Sequence, residues 1–205
     1  MSQIALFHSA LGVRPGIIDA AERLRGAGHE VLVVDQYGGR VFDDYEEANA
    51  FAEAIGYVEL MGRAAAAVEA LPDGFLAAGF SNGGGMAEYV ACVRPVAGVL
   101  LLSAALPLTM LGVEAWPAGV PVQIHYTADD PFRRQEWVDA LAEKVRAAPA
   151  AIEIFDYPGA GHLFTDASRP AEYHPEAAAQ LWERALSFCA DPRSSDGSAP
   201  GDSSA

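Results

Sequence analysis

Six short, almost continuous apolar runs punctuate the chain, at Gln3–His8, Glu30–Asp35, Gly74–Phe80, Gly98–Ser103, Pro121–Tyr126 and Ala151–Tyr157. A strand that is apolar at successive positions must be covered on both faces, which is the situation of a strand inside a parallel sheet. Between most of these runs lie longer segments rich in Ala, Leu, Glu and Arg, with apolar residues spaced near 3.6: Pro15–Ala27, Ala48–Leu71, Gly84–Cys92, Phe132–Ala147 and Pro175–Cys189. Strand and helix alternating in this way predict a three-layer α/β fold. Its mostly parallel central sheet has about six or seven strands, helices on both faces and right-handed crossovers.

The 205 residues are enough for one domain, and 51% hydrophobic against 20% charged is an ordinary globular balance. The expected domain runs over residues 1–190. Residues 191–205 hold only small and polar residues plus Arg193, with nothing large and apolar to bury, and are expected to be a disordered tail. A formal charge of −15, from 28 acidic and 13 basic residues, argues against nucleic acid or an anionic membrane as partner. Two cysteines, Cys92 and Cys189, make neither a disulfide framework nor a zinc motif, and Cys92 reads as a small core residue. The chain opens directly on an apolar run with no basic leader pattern, and no apolar stretch reaches membrane-spanning length; a cytoplasmic location is the expectation. Gln36–Asn49, rich in Gly, Tyr and Asp, reads as a long connection forming one wall of a cleft.

The chemistry concentrates at Gly79-Phe80-Ser81-Asn82-Gly83, a G-x-S-x-G between a strand and a helix. Such a turn lifts a serine Oγ above the sheet edge, while the glycines leave room for neighbouring backbone. The helix start beyond it offers unpaired N–H groups, so the Asn82 N–H is a candidate donor to a developing oxyanion. Serine becomes a useful nucleophile only beside a base held by an acid, and in this fold class the order is Ser, acid, His. Of the downstream histidines, His125 lies inside a strand and His174 before a helix, whereas His162 follows the last strand in a Gly-rich loop. His162 is therefore the expected base. Asp129 and Asp130 both follow the preceding strand; either could be the acid and either a helix cap, with Asp130 favoured. The loop His8-Ser9-Ala10-Leu11-Gly12 after the first strand is expected to supply the second oxyanion donor, from the N–H of Ala10 or Leu11, with His8 and Ser9 facing the cleft or serving the turn.

Phe7-His8-Ser9-Ala10-Leu11-Gly12-Val13-Arg14-Pro15-Gly16, Asp35-Gln36-Tyr37, Gly79-Phe80-Ser81-Asn82-Gly83-Gly84 and Tyr157-Pro158-Gly159-Ala160-Gly161-His162-Leu163-Phe164 together resemble the dienelactone hydrolase family, over roughly Ile4 to Cys189. The resemblance implies a compact α/β-hydrolase fold working without metal or organic cofactor. It also implies the roles nucleophile, acid and base for Ser81, Asp130 and His162. Ser81 stands where the name-giving enzymes often have Cys, and Ser9 where they have a Glu that meets the resting thiol. Asp166 stands where they carry an arginine that binds the substrate carboxylate, and Arg40 is a loosely aligned substitute for it. Tyr37 belongs to the same motif set.

The expected function is a serine hydrolase cleaving a small, neutral or weakly charged ester or lactone through an acyl-enzyme. Alternatives are a thioesterase or acyl-transferring hydrolase with the same triad, or a non-catalytic ligand-binding module on the same fold. A nucleotide- or flavin-binding domain would need a phosphate loop where His8–Gly12 offers a single Gly. A monomer or homodimer is expected.

Overall fold

The computed structural model describes residues 1–193, so most of the expected tail, from 194 onward, lies outside the described residues. In chain order the elements are β1 (Gln3–Phe7), α1 (Pro15–Gly26), β2 (Glu30–Val34), α2 (Tyr45–Ile55), α3 (Tyr57–Ala67), β3 (Phe75–Phe80) and α4 (Asn82–Val93). They continue with β4 (Val96–Leu102), a single 3₁₀ turn at Leu108–Leu111, β5 (Val122–Thr127), α5 (Gln135–Ala147), β6 (Ile152–Tyr157) and α6 (Pro175–Ala190). The strands form one six-stranded sheet in the order β2-β1-β3-β4-β5-β6, and every neighbouring pair is parallel.

Every residue of β3 and β5 is buried, as the apolar runs require, while the edge strands β2 and β6 are only partly covered. The chain reverses its direction of winding at β1, whose neighbours are β2 on one side and β3 on the other. At such a switch point the connections leave the sheet in opposite directions and open a crevice above the strand ends. The loop after β1 and the turn after β3 both end there. Among the described residues no helix is long and apolar enough to cross a membrane.

Two of the expected helices differ from their expected limits by more than two residues. The segment expected as one helix over Ala48–Leu71 is two, α2 and α3, broken at Gly56 with φ of 90°. The Gly56 N–H still closes α2 on the Ala52 carbonyl, and its own carbonyl accepts the Leu60 N–H to begin α3. That left-handed backbone is one glycine adopts without Cβ strain. The helix expected from Phe132 starts at Gln135 instead, because the preceding residues are occupied at the site described below.

Inside α4 sits Glu88, fully buried. Its Oε1 accepts the Leu106 N–H at 3.0 Å, and its Oε2 has no partner among the described residues. Burial drives this carboxyl well above the usual glutamate value, only partly offset by the Leu106 N–H, so it is held in the neutral form. Between the ordinary glutamate value and the raised one, the folded chain keeps a proton that the unfolded chain has released, and stability falls as pH rises through that window. Glu88→Gln, which imitates the neutral acid, is expected to raise Tm by a few degrees at pH 8 and to change it little near pH 4.5. Thermal melts at the two pH values check this; an equal shift at both would mean that ionisation is not the cost.

Candidate active site

Ser81 is the hinge between β3 and α4, with φ of 52° and ψ of −118°. A non-glycine residue in that region stores about 1–3 kcal/mol and persists only where its surroundings impose it. Here the Ser81 N–H is fixed on the Leu102 carbonyl at 2.8 Å, and its own carbonyl takes the Gly84 N–H at 2.8 Å. The flanking glycines are dictated by close approach. A Cβ on Gly79 would lie 2.1 Å from the Gly83 carbonyl oxygen, and one on Gly83 would lie 2.4 Å from that of His8. The start of α4 thus rests directly on the ends of β3 and β1.

Ser81 Oγ lies 2.7 Å from His162 Nε2. On the other side of the ring, His162 Nδ1 lies 2.8 Å and 2.9 Å from the two carboxylate oxygens of Asp130. His162 and Asp130 are buried and Ser81 is partly open to the cleft. A carboxylate can only accept, so the His162 proton sits on Nδ1 and leaves the Nε2 lone pair for the serine hydroxyl. Asp130 also takes the Phe132 N–H on Oδ1 at 2.8 Å. That turn is why α5 begins three residues later than its composition suggests, and Arg134, not an aspartate, precedes its first turn. Asp129 is exposed and contributes a backbone N–H to the Gly159 carbonyl.

The loop that carries His162 is tied on several sides. Thr127 Oγ1 donates to the Gly161 carbonyl at 2.8 Å and Ser103 Oγ to the His162 carbonyl at 2.5 Å. The rings of Phe132 and Tyr45 stand 4.7 Å and 5.9 Å from the imidazole. Glu172 accepts the Leu163 N–H, the Tyr45 hydroxyl and the Arg169 Nε–H. Burial alone would raise its carboxyl, but those three donors outweigh burial and hold it below the usual glutamate range.

An open cleft of about 430 Å³ lies over Ser81 and His162. Its walls are largely apolar, with Met61, Met86, Leu106, Met110, Leu111 and Trp137 among them, and among the described residues Glu53 and Arg134 are the only acidic and basic side chains that line it besides His162. Ala10 and Asn82 also border it, and among the described residues the backbone N–H of neither has a hydrogen-bond partner. Two such donors beside a nucleophile are the arrangement an oxyanion needs. Among the described residues no three His, Cys, Asp or Glu side chains gather as metal ligands would.

Several residues expected at the cleft stand elsewhere. His8 is buried, its Nδ1–H on the Ser9 carbonyl at 2.6 Å and its Nε2 accepting the Gln36 N–H at 3.1 Å, so it is a neutral turn-former whose pKa is lowered by burial. Ser9 Oγ accepts the Leu11 N–H, which takes that donor away from the cleft, and the Leu11 side chain is fully buried. Tyr37 packs edge-on against His8 and accepts a long 3.4 Å bond from Asn82 Nδ2, lying behind the cleft lining. Arg40 is exposed, its guanidinium over the Phe51 ring. Asp166 is buried against Gly16, and with Ser9 and Arg14 it borders a separate void of about 10 Å³. It therefore does not face a ligand in the cleft. Of the segment Gln36–Asn49 expected as a wall, Asn49 lines the cleft, and the wall continues beyond it through Glu53 of α2 and Tyr57 and Met61 of α3. His125 is wholly buried between Tyr157 and Gln123, and burial, with Arg184 nearby, pushes its pKa down to about 3; His174 caps α6 through its ring nitrogen. Burial pushes both thiols up to about 12, with Glu88 adding to the shift at Cys92.

Met61, Met86 and Met110, every methionine other than the first residue, line the cleft. That is the one compositional hint to its walls. Tyr45, Ser103, Thr127 and Glu172 carried no hint of their own.

A sequence model of the dienelactone hydrolase family matches residues 2–191. The chain belongs to the dienelactone hydrolase family. Among curated proteins, two named for carboxymethylenebutenolidase, from Salmonella typhi and Escherichia coli, are 40% and 38% identical over 70 and 68 residues. Those matches take in 34% and 33% of this chain but only about a quarter, 26% and 25%, of the relatives' own length. The fold matches a dienelactone hydrolase-like promiscuous phosphotriesterase from metagenomic libraries, with a TM-score of 0.77 at 21% identity over 93% of this chain and 86% of that one. It also matches a dienelactone hydrolase-named structure from Klebsiella pneumoniae, with a TM-score of 0.73 at 23% identity over 93% and 87%. An esterase from Thermogutta terrifontis aligns with a TM-score of 0.62 at 19% identity over 94% and 84%.

Proposed function

We propose that this member of the dienelactone hydrolase family is a serine hydrolase that cleaves a small ester or lactone through an acyl-enzyme on Ser81. The observation that carries the reading is the line of contacts from Ser81 Oγ to His162 Nε2 and from His162 Nδ1 to Asp130. Ser81 Oγ attacks the carbonyl carbon as its proton passes to His162 Nε2. The N–H groups of Asn82 and Ala10 take the oxygen charge, and Asp130 holds the imidazolium in orientation. The proton then goes to the departing alcohol oxygen as the C–O bond breaks. Water, deprotonated by the same nitrogen, releases the acid and restores the serine. No step calls for a cofactor.

The largely apolar cleft, with one acidic and one basic side chain on its walls, supports a neutral or weakly charged substrate. Thioesters share the first half-reaction and are separated by running oxygen and sulfur esters of one acid in parallel. Intact-mass labelling with a fluorophosphonate tests the mechanism. One adduct is expected on the parent protein and none on Ser81→Ala. A well-folded parent that takes no adduct would remove the serine mechanism and leave a ligand-binding role for the cleft.

A further inference from the structure

The base sits on a loop, and a loop does not hold an imidazole to within a few tenths of an ångström unless its peptide groups are themselves held. The two peptide units that flank His162 are held by three side chains. The Gly161 carbonyl is held by Thr127 and the His162 carbonyl by Ser103, both at the ends of neighbouring strands. The other end of that second unit, the Leu163 N–H, is held by Glu172 Oε2 at 2.8 Å, nine residues further along the chain.

Glu172 is itself well anchored. Its carboxylate takes the Tyr45 hydroxyl at 2.9 Å and the Arg169 Nε–H at 2.5 Å. Arg169 in turn lies over the Tyr45 ring and donates to the Asp43 carbonyl. The Glu172 backbone also presses on the loop: a Cβ on Gly161 would come within 1.9 Å of its carbonyl oxygen. Tyr45 extends the contact to the ring of the base. The same carboxylate therefore joins the loop of the base, the start of α2 and the segment before α6.

We infer that Glu172 is a positioning residue for the hydrolytic reaction, its Oε2 fixing the Leu163 peptide and through it the direction in which His162 Nε2 faces Ser81. The inference rests on the serine-hydrolase reading above. It separates two functions of one side chain, the reach of its oxygen to Leu163 and the charge it offers Arg169. Glu172→Gln keeps the reach, with the amide oxygen at the Oε2 position, and gives up the charge together with the bond from Arg169 Nε–H, which would face the amide NH2. Glu172→Asp keeps the charge and withdraws the oxygen by one methylene.

The test compares kcat and KM of the parent and both variants on p-nitrophenyl butyrate, with rates of fluorophosphonate labelling. Because displacement of a catalytic group by about 1 Å can cost a hundredfold, Glu172→Asp is expected to lose about tenfold or more in kcat and in labelling rate, with KM within about twofold. Glu172→Gln is expected to stay within about threefold of the parent. An Asp variant at least as active as the Gln variant would overturn the inference and assign Glu172 to its pairing with Arg169. A loss confined to KM would overturn it equally. A parent that labels at Ser81 while both variants match it sinks this inference alone, whereas a parent that does not label sinks the reading beneath it.

Discussion

Asp130→Asn is expected to lower kcat by about 10⁴-fold on a p-nitrophenyl ester, with the protein still folded and KM little changed. The reason lies in what else the carboxylate holds. Oδ1 accepts the Phe132 N–H, so the asparagine oxygen stays on that side and the amide nitrogen takes the place of Oδ2, 2.8 Å from His162 Nδ1. Nδ1 then meets the amide N–H at the shorter of its two contacts, 2.8 Å against 2.9 Å to the oxygen already engaged by Phe132, and the tautomer that accepts there is favoured. The imidazole proton moves to Nε2, where it meets Ser81 and blocks removal of the hydroxyl proton. Asp129→Asn is expected to stay within about twofold, because Asp129 is exposed and its bond to Gly159 comes from the backbone. Steady-state rates of the two variants side by side decide the matter. An Asp130→Asn enzyme within tenfold of the parent would mean that something other than Asp130 orients the base.

Gly79→Ala is expected to prevent stable folding. The new methyl would sit 2.1 Å from the Gly83 carbonyl oxygen and 2.6 Å from the Gly84 nitrogen, both backbone atoms that no side-chain rotation moves aside. Relief requires lifting the first turn of α4 off β3, against a helix whose face is almost wholly buried. A cost of roughly 4 kcal/mol or more is expected, a large share of the 5–15 kcal/mol that a domain possesses. Gly62→Ala is the control. Gly62 lies inside α3, a Cβ there meets nothing within 4 Å, and the change should stabilise by up to about 1 kcal/mol. Circular dichroism and melting of the pair read out both effects. A Gly79→Ala protein melting within a few degrees of the parent would refute the close-packing account of the turn.

The sheet was legible in the sequence because strands buried on both faces write themselves as unbroken apolar runs, and all six were found where the runs lie. The break at Gly56 was not, since the residues on either side are continuous helix formers and a single glycine inside such a run is common. Ser81, Asp130 and His162 could be picked out because each stands just beyond a strand, and in a parallel sheet the strand ends converge on one rim. The direction of a loop side chain is a different kind of fact. His8, Ser9 and Leu11 follow a strand too, yet the bonds of a tight turn draw them away from the cleft. Glu172 and Tyr45 were out of reach for the same reason on a larger scale. They are 127 residues apart, and nothing local marks either as the other's partner.

The three methionines around the cleft give it an unusual tolerance of shape. Each is an unbranched thioether with several rotatable bonds, so the wall can be recut by rotamer changes that leave the backbone alone. A pocket of that kind selects weakly by outline and more strongly by charge. Ser81, His162 and Asp130 are held by short, directional bonds, while the wall of the cleft beside them is compliant. Under the proposed serine-hydrolase function, the consequence is a site rigid at the bond it breaks and permissive about what is attached to that bond, so that new substrates can be taken up without remaking the chemistry.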